Sequence, residues 1–268
     1  MPGRLVVCPT PIGNLEDITL RVLGALREAD VVACEDTRHT RTLLARHAIT
    51  AQTVSYHEHN EPQRAAQLVE RMAAGETVAL VSDAGMPLVS DPGFVLVQAA
   101  IAAGLSIEVL PGPSAALTAL VASGLPNDAW RFAGFLPRKK SALAEMLSTA
   151  HETLVAFESP NRLGASLAVL AEIDPERAVA VCRELTKLHE EVVRGTASDL
   201  AARYAGEKVK GEIVIVIGAA VQGEADTAKA LEAVRGLVDA GAKPRVAATV
   251  VAGLTGLSAN DLYGALTK

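Results

Sequence analysis

Between Arg4 and Gly124 the chain switches repeatedly between two apolar patterns. Short runs rich in Val, Leu, Ile and Cys predict buried strands at Leu5–Cys8, Asp30–Cys34, Thr53–Tyr56, Val78–Ser82 and Ile107–Leu110. Between them, apolar residues at helical spacing predict helices at Thr19–Arg27, Thr40–His47, Pro62–Ala74, Pro92–Ala103 and Ser114–Ser123. Strands alternating with helices at this spacing imply βα units, hence a largely parallel sheet with helices on both faces.

The rhythm breaks between Leu125 and Lys140, where two prolines, an Asn-Asp pair, Trp130 and the run Arg138-Lys139-Lys140 suggest a domain boundary. Beyond it, Ala178–Cys182 and Glu190–Arg194 are strands joined by a short polar loop, which favours antiparallel pairing. Lys210–Gly218 is a final β-branched strand, so the second block is a smaller α/β domain with a mixed sheet. From Gln222 onward the pattern is helical throughout. Ala252, Gly256, Leu257, Ser258 and Leu262 have the spacing of a helix-turn-helix, and Ser258 with Asp261 forms a capping box for a last helix ending near Lys268. That helix carries almost no basic side chains, so it is read as a docking or packing module, not a DNA reader. The expected organisation is therefore 1–124 and 125–221 as two α/β domains and 222–268 as a helical tail.

Composition narrows the class. In 268 residues, 50% are hydrophobic but only 3% aromatic, so the core must be built from Ala, Val, Leu and Ile. No run is apolar and long enough to span a bilayer, and Met1–Val7 enters a strand directly without a signal-like segment. Three scattered cysteines, Cys8, Cys34 and Cys182, suit reduced, buried thiols in a cytoplasmic protein. A net charge of −6 disfavours indiscriminate nucleic-acid binding while leaving room for a local basic patch.

Chemistry concentrates where predicted strands end. After the fourth strand comes V-S-D-A-G-M-P-L-V-S-D-P-G (Val81–Gly93), with Asp91 as the expected N-cap and Pro92 at the first helical position of the next helix. Gly85 and Pro87 shape a loop that a ligand can approach closely, and Asp83 offers it a polar anchor. After the first strand, C-P-T-P-I-G-N-L-E-D-I-T (Cys8–Thr19) is neither G-x-G-x-x-G nor a P-loop, which removes the best support for a dinucleotide or triphosphate site. After the fifth, L-P-G-P-S-A-A (Leu110–Ala116) places Pro113 at a first helical position and offers the backbone of Ser114 and Ala115. Three such loops on one sheet describe a ligand crevice at the strands' carboxyl ends.

Other clusters have plainer readings beside the functional ones. His57, Glu58, His59 and Glu61 invite a metal, but on a strand His57 and His59 would oppose Glu58, so no metal is expected and substrate contact is preferred. Arg38 and Arg41 share one helical turn beside acids, where an ion-pair network competes with phosphate binding. F-E-S-P-N-R (Phe157–Arg162) and C-R-E-L-T-K-L-H-E-E (Cys182–Glu191) place Glu158 and Glu184 at strand ends, facing a cleft or solvent.

Taken in order, T-P-I-G-N-L-E-D, A-C-E-D-T-R, V-S-D-A-G-M-P-L-V-S-D-P-G, L-P-G-P-S-A, G-F-L-P-R-K, F-E-S-P-N-R and R-E-L-T-K-L-H-E-E resemble the signatures of the tetrapyrrole-methylase superfamily. More closely, they resemble its ribosomal RNA branch, which forms a 2′-O-methylcytidine in the decoding centre of 16S RNA. The first loop, where Gly13 stands with Asn14, Leu15 and Glu16, is less glycine-rich than in many tetrapyrrole methylases and favours that branch. The resemblance implies a class III fold of two α/β domains with S-adenosylmethionine (SAM) in the cleft between them, and a cytoplasmic homodimer. It assigns cofactor contacts to Pro11, Gly13, Asp83, Gly85, Met86, Pro87, Ser114 and Ala115, and across the cleft to Phe157, Leu185 and Glu212.

Methylation of a ribose hydroxyl calls for positioning and a general base. Glu158 and Glu184 are the first candidates, with Lys187 or Arg183 countering charge and His57 and Glu58 next. Arg38, Arg41, Arg138, Lys139 and Lys140, with His57 and Glu58, are the expected RNA contacts. An acidic protein without an aromatic platform should need a preformed small ribosomal subunit as substrate. The competing readings are a corrin or porphyrin-precursor C-methyltransferase and a non-catalytic SAM-binding RNA adaptor.

Overall fold

Continuous burial along β1, β2 and β4, the strands at Arg4–Cys8, Val31–Cys34 and Thr77–Val81, sets the architecture. The computed structural model describes residues 3–220 and 224–266, which fall into two units, Met1–Gly218 and Ala219–Lys268. The first unit begins with β1 (Arg4–Cys8), α1 (Leu20–Glu28), β2 (Val31–Cys34), α2 (Thr37–Arg46), β3 (Thr53–Ser55), α3 (Glu61–Ala73), β4 (Thr77–Val81), α4 (Phe94–Ala102), β5 (Ser106–Val109) and α5 (Ala115–Ser123). The five strands form one parallel sheet in the order β3-β2-β4-β1-β5. Side chains alternate across it: Val6 and Cys8 join Val22, Leu26, Leu43 and Leu44 on one face, while Leu5 and Val7 join Leu68, Met72, Leu96 and Ala100 on the other. The expected parallel sheet with helices on both faces is present.

The same unit continues through β6 (Trp130–Phe135), α6 (Lys140–Ser148), β7 (Thr153–Glu158), α7 (Leu163–Ile173), β8 (Ala178–Arg183), β9 (Glu191–Thr196), α8 (Ala197–Arg203) and β10 (Ile213–Ile217). Trp130 therefore opens a strand inside the stretch read as a domain boundary. The second sheet has the order β6-β7-β10-β8-β9, with β6 and β7 parallel and the other pairs antiparallel, so the expected mixed sheet and the β8–β9 hairpin are both found. Its outer face is covered by α6, α7 and α8. Its inner face receives Ala116, Ala119 and Leu120 of α5, beside Ile12 of the first loop. Arg194 of β9 donates to the carbonyls of Ala122 and Ser123 at the end of α5, placing a cation where that helix is negative. α5 thus belongs in sequence to the first sheet and in packing to the second.

The second unit contains α9 (Glu224–Asp239), α10 (Pro244–Thr255) and α11 (Ala259–Leu266) around Val234, Ala247, Ala248, Val251 and Leu262. Gly256 ends α10 in the left-handed conformation (φ 72°), and the Asp261 amide donates to Ser258 Oγ at 3.4 Å, one half of the expected capping box. The expected boundary at 221–222 and the end of the last helix at Lys268 lie outside the described residues.

Candidate functional site

Sheet order explains why three signature loops meet. β4, β1 and β5 are consecutive strands, so the loops leaving their carboxyl ends are neighbours. The Thr10 amide donates to the Gly85 carbonyl at 2.9 Å and the Gly85 amide returns to Thr10 at 3.0 Å, stitching the first loop to the central one. A Cβ on Gly112 would sit 2.4 Å from Pro9 Cγ, so the third loop can press against the first only as glycine. In the central loop Gly85 (φ 81°), Leu88 (71°), Ser90 (68°) and Gly93 (140°) all have positive φ. Two of these four are not glycine, a strain that neighbouring bonds must hold in place.

One of those bonds corrects the expected helix start. α4 begins at Phe94, not Pro92, and its amides are served from a distance: Gly93 N donates to Glu61 Oε1 at 2.7 Å and Leu96 N to the Tyr56 hydroxyl at 3.1 Å. Asp91 is therefore not the cap. It lines a cavity of about 340 Å³ instead. Burial, together with the charges of Glu35 and Asp83, pushes its carboxyl up to about 7 from an ordinary 3.8. α5 likewise starts at Ala115 rather than at Pro113, with Ser114 as N-cap.

The cavity lies between the loops and the second sheet. One wall holds Ile12, Gly85, Met86, Val89, Ser114 and Ala115; the other holds Phe135, Phe157, Glu158, Leu185, Glu212 and Val214. β10 runs antiparallel to β7 and β8, so its start meets their ends at this edge. Glu158, whose side chain is fully buried, accepts from the Ser159 amide at 2.7 Å and the Ser166 hydroxyl, and pairs with Arg162 at 3.1 Å. Arg162 also donates to the Leu136 and Pro137 carbonyls, tying F-E-S-P-N-R to G-F-L-P-R-K. Glu184 (φ 51°) accepts from Lys187 Nζ at 2.8 Å and from the Glu212 amide at 2.9 Å, and Lys187 reaches Glu212 Oε2 at 2.9 Å. The Lys187 bond and the Glu212 amide hold the Glu184 carboxyl below its usual range.

Of the expected cofactor residues, Gly85, Met86, Ser114, Ala115, Phe157, Leu185 and Glu212 line this cavity. Gly13 does not: a Cβ there would meet Lys187 Cγ at 2.5 Å and the Leu185 carbonyl at 2.9 Å, and the Asn14 amide donates to Thr186 Oγ1 at 3.1 Å. Gly13 is the point at which the first loop closes onto the Glu184–Glu190 loop. Pro11 and Asp83 border a separate crevice of about 10 Å³, with Asp83 accepting from the Asp36 amide at 3.1 Å; Pro87 is buried beside the cavity loop and lines neither.

The expected basic RNA contacts fall on two segments, Arg38 and Arg41 on α2 and Arg138, Lys139 and Lys140 at the start of α6. Arg38 pairs with Asp36 at 2.7 Å, and Lys140 with Glu172 at 2.7 Å, whereas Arg41, Arg138 and Lys139 are exposed. His57 and Glu58 lie in a turn, not a strand; the Nδ1 of His57 is buried and has no hydrogen-bond partner among the described residues. Among those residues no His, Cys, Asp and Glu group is arranged to hold a metal, and no helix is long and apolar enough to cross a membrane.

The family model of the Tetrapyrrole (Corrin/Porphyrin) Methylases matches residues 4–201. The chain is 45% identical over 267 residues to the "Ribosomal RNA small subunit methyltransferase I" of Micromonospora olivasterospora, spanning 97% of this chain and 85% of that one. It is 51% identical over 221 residues to the protein of that name from Mesorhizobium japonicum, spanning 81% and 75%. The chain belongs to the tetrapyrrole methylases, in the ribosomal RNA small subunit methyltransferase I family. A solved methylase with the same fold is the uroporphyrin-III C-methyl transferase of Thermus thermophilus complexed with S-adenyl homocysteine (TM-score 0.56, 21% identity, 80% of this chain and 97% of that one).

In this methylase Asp91 and Phe135 are among the cavity residues that the sequence reading did not assign to the site. Asp91 was hidden by a Ser-Asp-Pro-Gly string that imitates a helix start. Phe135 lay in G-F-L-P-R-K, where only its neighbours' charges drew notice.

Proposed function

We propose that the protein transfers a methyl group from SAM to the ribose 2′-oxygen of a cytidine in the decoding centre of 16S ribosomal RNA, acting on the assembled small subunit in the cytoplasm. The observation that carries this reading is the cavity where the family's signatures meet, in a chain 45% identical to a ribosomal RNA small subunit methyltransferase along almost its whole length. About 340 Å³ is within the range of small-molecule sites, and its walls are mainly apolar. Its ionisable side chains are three carboxylates (Asp91, Glu158 and Glu212) and the Cys182 thiol, with no basic group among the lining residues. Glu158 and Glu212 are already paired with Arg162 and Lys187, so the lining offers no free cation to the polycarboxylate precursors of corrins and porphyrins.

SAM would be held by Gly85, Met86, Ser114 and Ala115 on one side and by Phe157, Leu185 and Glu212 on the other, and it supplies an activated methyl group. The protein's share is largely placement: the two sheets fix both walls, and the apolar lining keeps water from competing. Glu158, Glu184 and Lys187 act here as positioning residues. Glu158 anchors Arg162 and the β6 end, while the Glu184–Lys187–Glu212 network seats the loop that closes over Gly13. Exposed Arg41, Arg138 and Lys139 are the proposed RNA backbone contacts, with Arg38 and Lys140 available by exchange of their exposed ion pairs.

A homodimer is part of the proposal. Phe94 and Ile101 of α4, Val109 of β5, and Leu117 and Val121 of α5 are all at least half exposed, apolar side chains that a second copy of the chain would cover. The test of the substrate is transfer of labelled methyl from SAM to assembled small subunits and to protein-free 16S RNA. The reading expects strong preference for the particle; equal labelling of the two contradicts it.

A further inference from the structure

We propose that Asp91 is the proton acceptor of the reaction, taking the hydroxyl proton as the oxygen attacks the methyl carbon. The inference rests on the reading above, that a ribose hydroxyl is the nucleophile. The oxygen–carbon bond forms as the carbon–sulfur bond breaks, the electron pair stays on sulfur, and the proton passes to an Asp91 carboxylate oxygen. Charge balances, because the sulfonium becomes a thioether and the carboxylate becomes an acid.

The geometry singles Asp91 out. A base must reach the reacting atoms with a lone pair free to receive the proton. Glu158 spends both carboxylate oxygens on Ser159, Arg162 and Ser166. Glu212 is paired with Lys187 and largely exposed at the rim. Cys182 is buried in the inner face of the second sheet, where burial pushes its thiol up to about 11. Among the described residues Asp91 alone of the cavity's carboxylates has no side-chain hydrogen bond or ion pair.

Its freedom is built into the fold. An aspartate just before a helix would ordinarily spend its oxygen on the helix amides. Here Glu61 and Tyr56 already take the amides of Gly93 and Leu96, and positive φ at Ser90 and Gly93 turns the chain on both sides of Asp91. The charges acting most strongly on it are those of Glu35, from the turn after β2, and Asp83, from the loop after β4. Both repel an additional negative charge, so they favour proton uptake. The resulting titration near 7 matches a general base working at neutral pH.

The test compares D91N, D91E and wild type in three measurements. Calorimetric affinity for S-adenosylhomocysteine should stay within threefold in D91N, since Asp91 does not serve to hold the cofactor. Single-turnover formation of 2′-O-methylcytidine in small subunits should fall about 10²- to 10⁴-fold in D91N and partly recover in D91E. Wild-type rate should rise with pH through about 7, and the residual D91N rate should lack that limb.

A folding readout guards the comparison. The raised carboxyl gives stability that is full below 3.8 and is lost as pH rises through about 7. D91N should therefore melt progressively higher than wild type across that window and keep its advantage above it. D91N transferring within threefold of wild type, or losing S-adenosylhomocysteine affinity in proportion to rate, overturns the role. Wild-type protein that makes no 2′-O-methylcytidine overturns the substrate reading and the role with it, whereas product from wild type and D91N alike overturns the role alone.

Discussion

At the residue scale the site depends on a few positions whose surroundings forbid substitution. Gly13 is one. Its missing side chain leaves room for Lys187 Cγ and the Leu185 carbonyl, so G13A must displace backbone as well as a flexible stem. We expect G13A to cost about 1–3 kcal/mol in thermal or denaturant unfolding. It should also weaken S-adenosylhomocysteine binding, because Leu185 lines the cavity just beyond. Unchanged stability and affinity would mean the two loops are not held together there. The sequence announced Gly13, Gly85 and Ser114 as special, since glycine and capping residues leave local marks. It could not announce that Gly13 faces a loop more than 170 positions away in sequence, as the Asn14–Thr186 bond shows, nor that Glu158 would be fully engaged. Those facts depend on partners brought in by folding.

At the element scale the helix limits show where local signals suffice. α1 starts one residue after the expected Thr19, whose hydroxyl caps it by accepting from the Val22 amide. α2 starts at Thr37 instead of Thr40, because the Asp36 carboxylate accepts from the Arg38 amide. α4 starts late because its caps come from β3's end and from α3, a long-range arrangement with no local trace. α5 is the element that positions most. Its N-terminus supplies Ser114 and Ala115 to the cavity, its body packs on the second sheet, and Arg194 holds its last carbonyls. Replacing Arg194 by Met should cost about 1–3 kcal/mol and lower S-adenosylhomocysteine affinity, through loss of α5 placement. Stability lost without any change in affinity would show that α5 is fixed by its apolar face alone.

At the scale of the whole molecule, two sheets of different construction share one helix, and the shared edge forms the cavity. The alternation of strand and helix in the first half was legible because each βα unit repeats one pattern. The second half was less so, since Trp130–Phe135 follows the turn-like Pro126-Asn127-Asp128 and pairs only with β7. The apolar surface of α4, β5 and α5 predicts a dimer. Val121, 76% exposed, is a suitable probe: V121D should shift the protein from dimer to monomer in sedimentation while leaving its melting temperature near that of the unassociated chain. A wild-type protein that sediments as a monomer at micromolar concentration would contradict that part of the account.

The claim on which everything else depends is the identity of the methylated atom. The most direct measurement incubates the protein with small ribosomal subunits and SAM labelled in its methyl group, then digests the RNA and identifies the labelled nucleoside. The expected result is label in one 2′-O-methylcytidine, mapped to the decoding region of 16S RNA. Label on a base, label at a different nucleotide, or transfer to a corrin precursor but not to the subunit would contradict it.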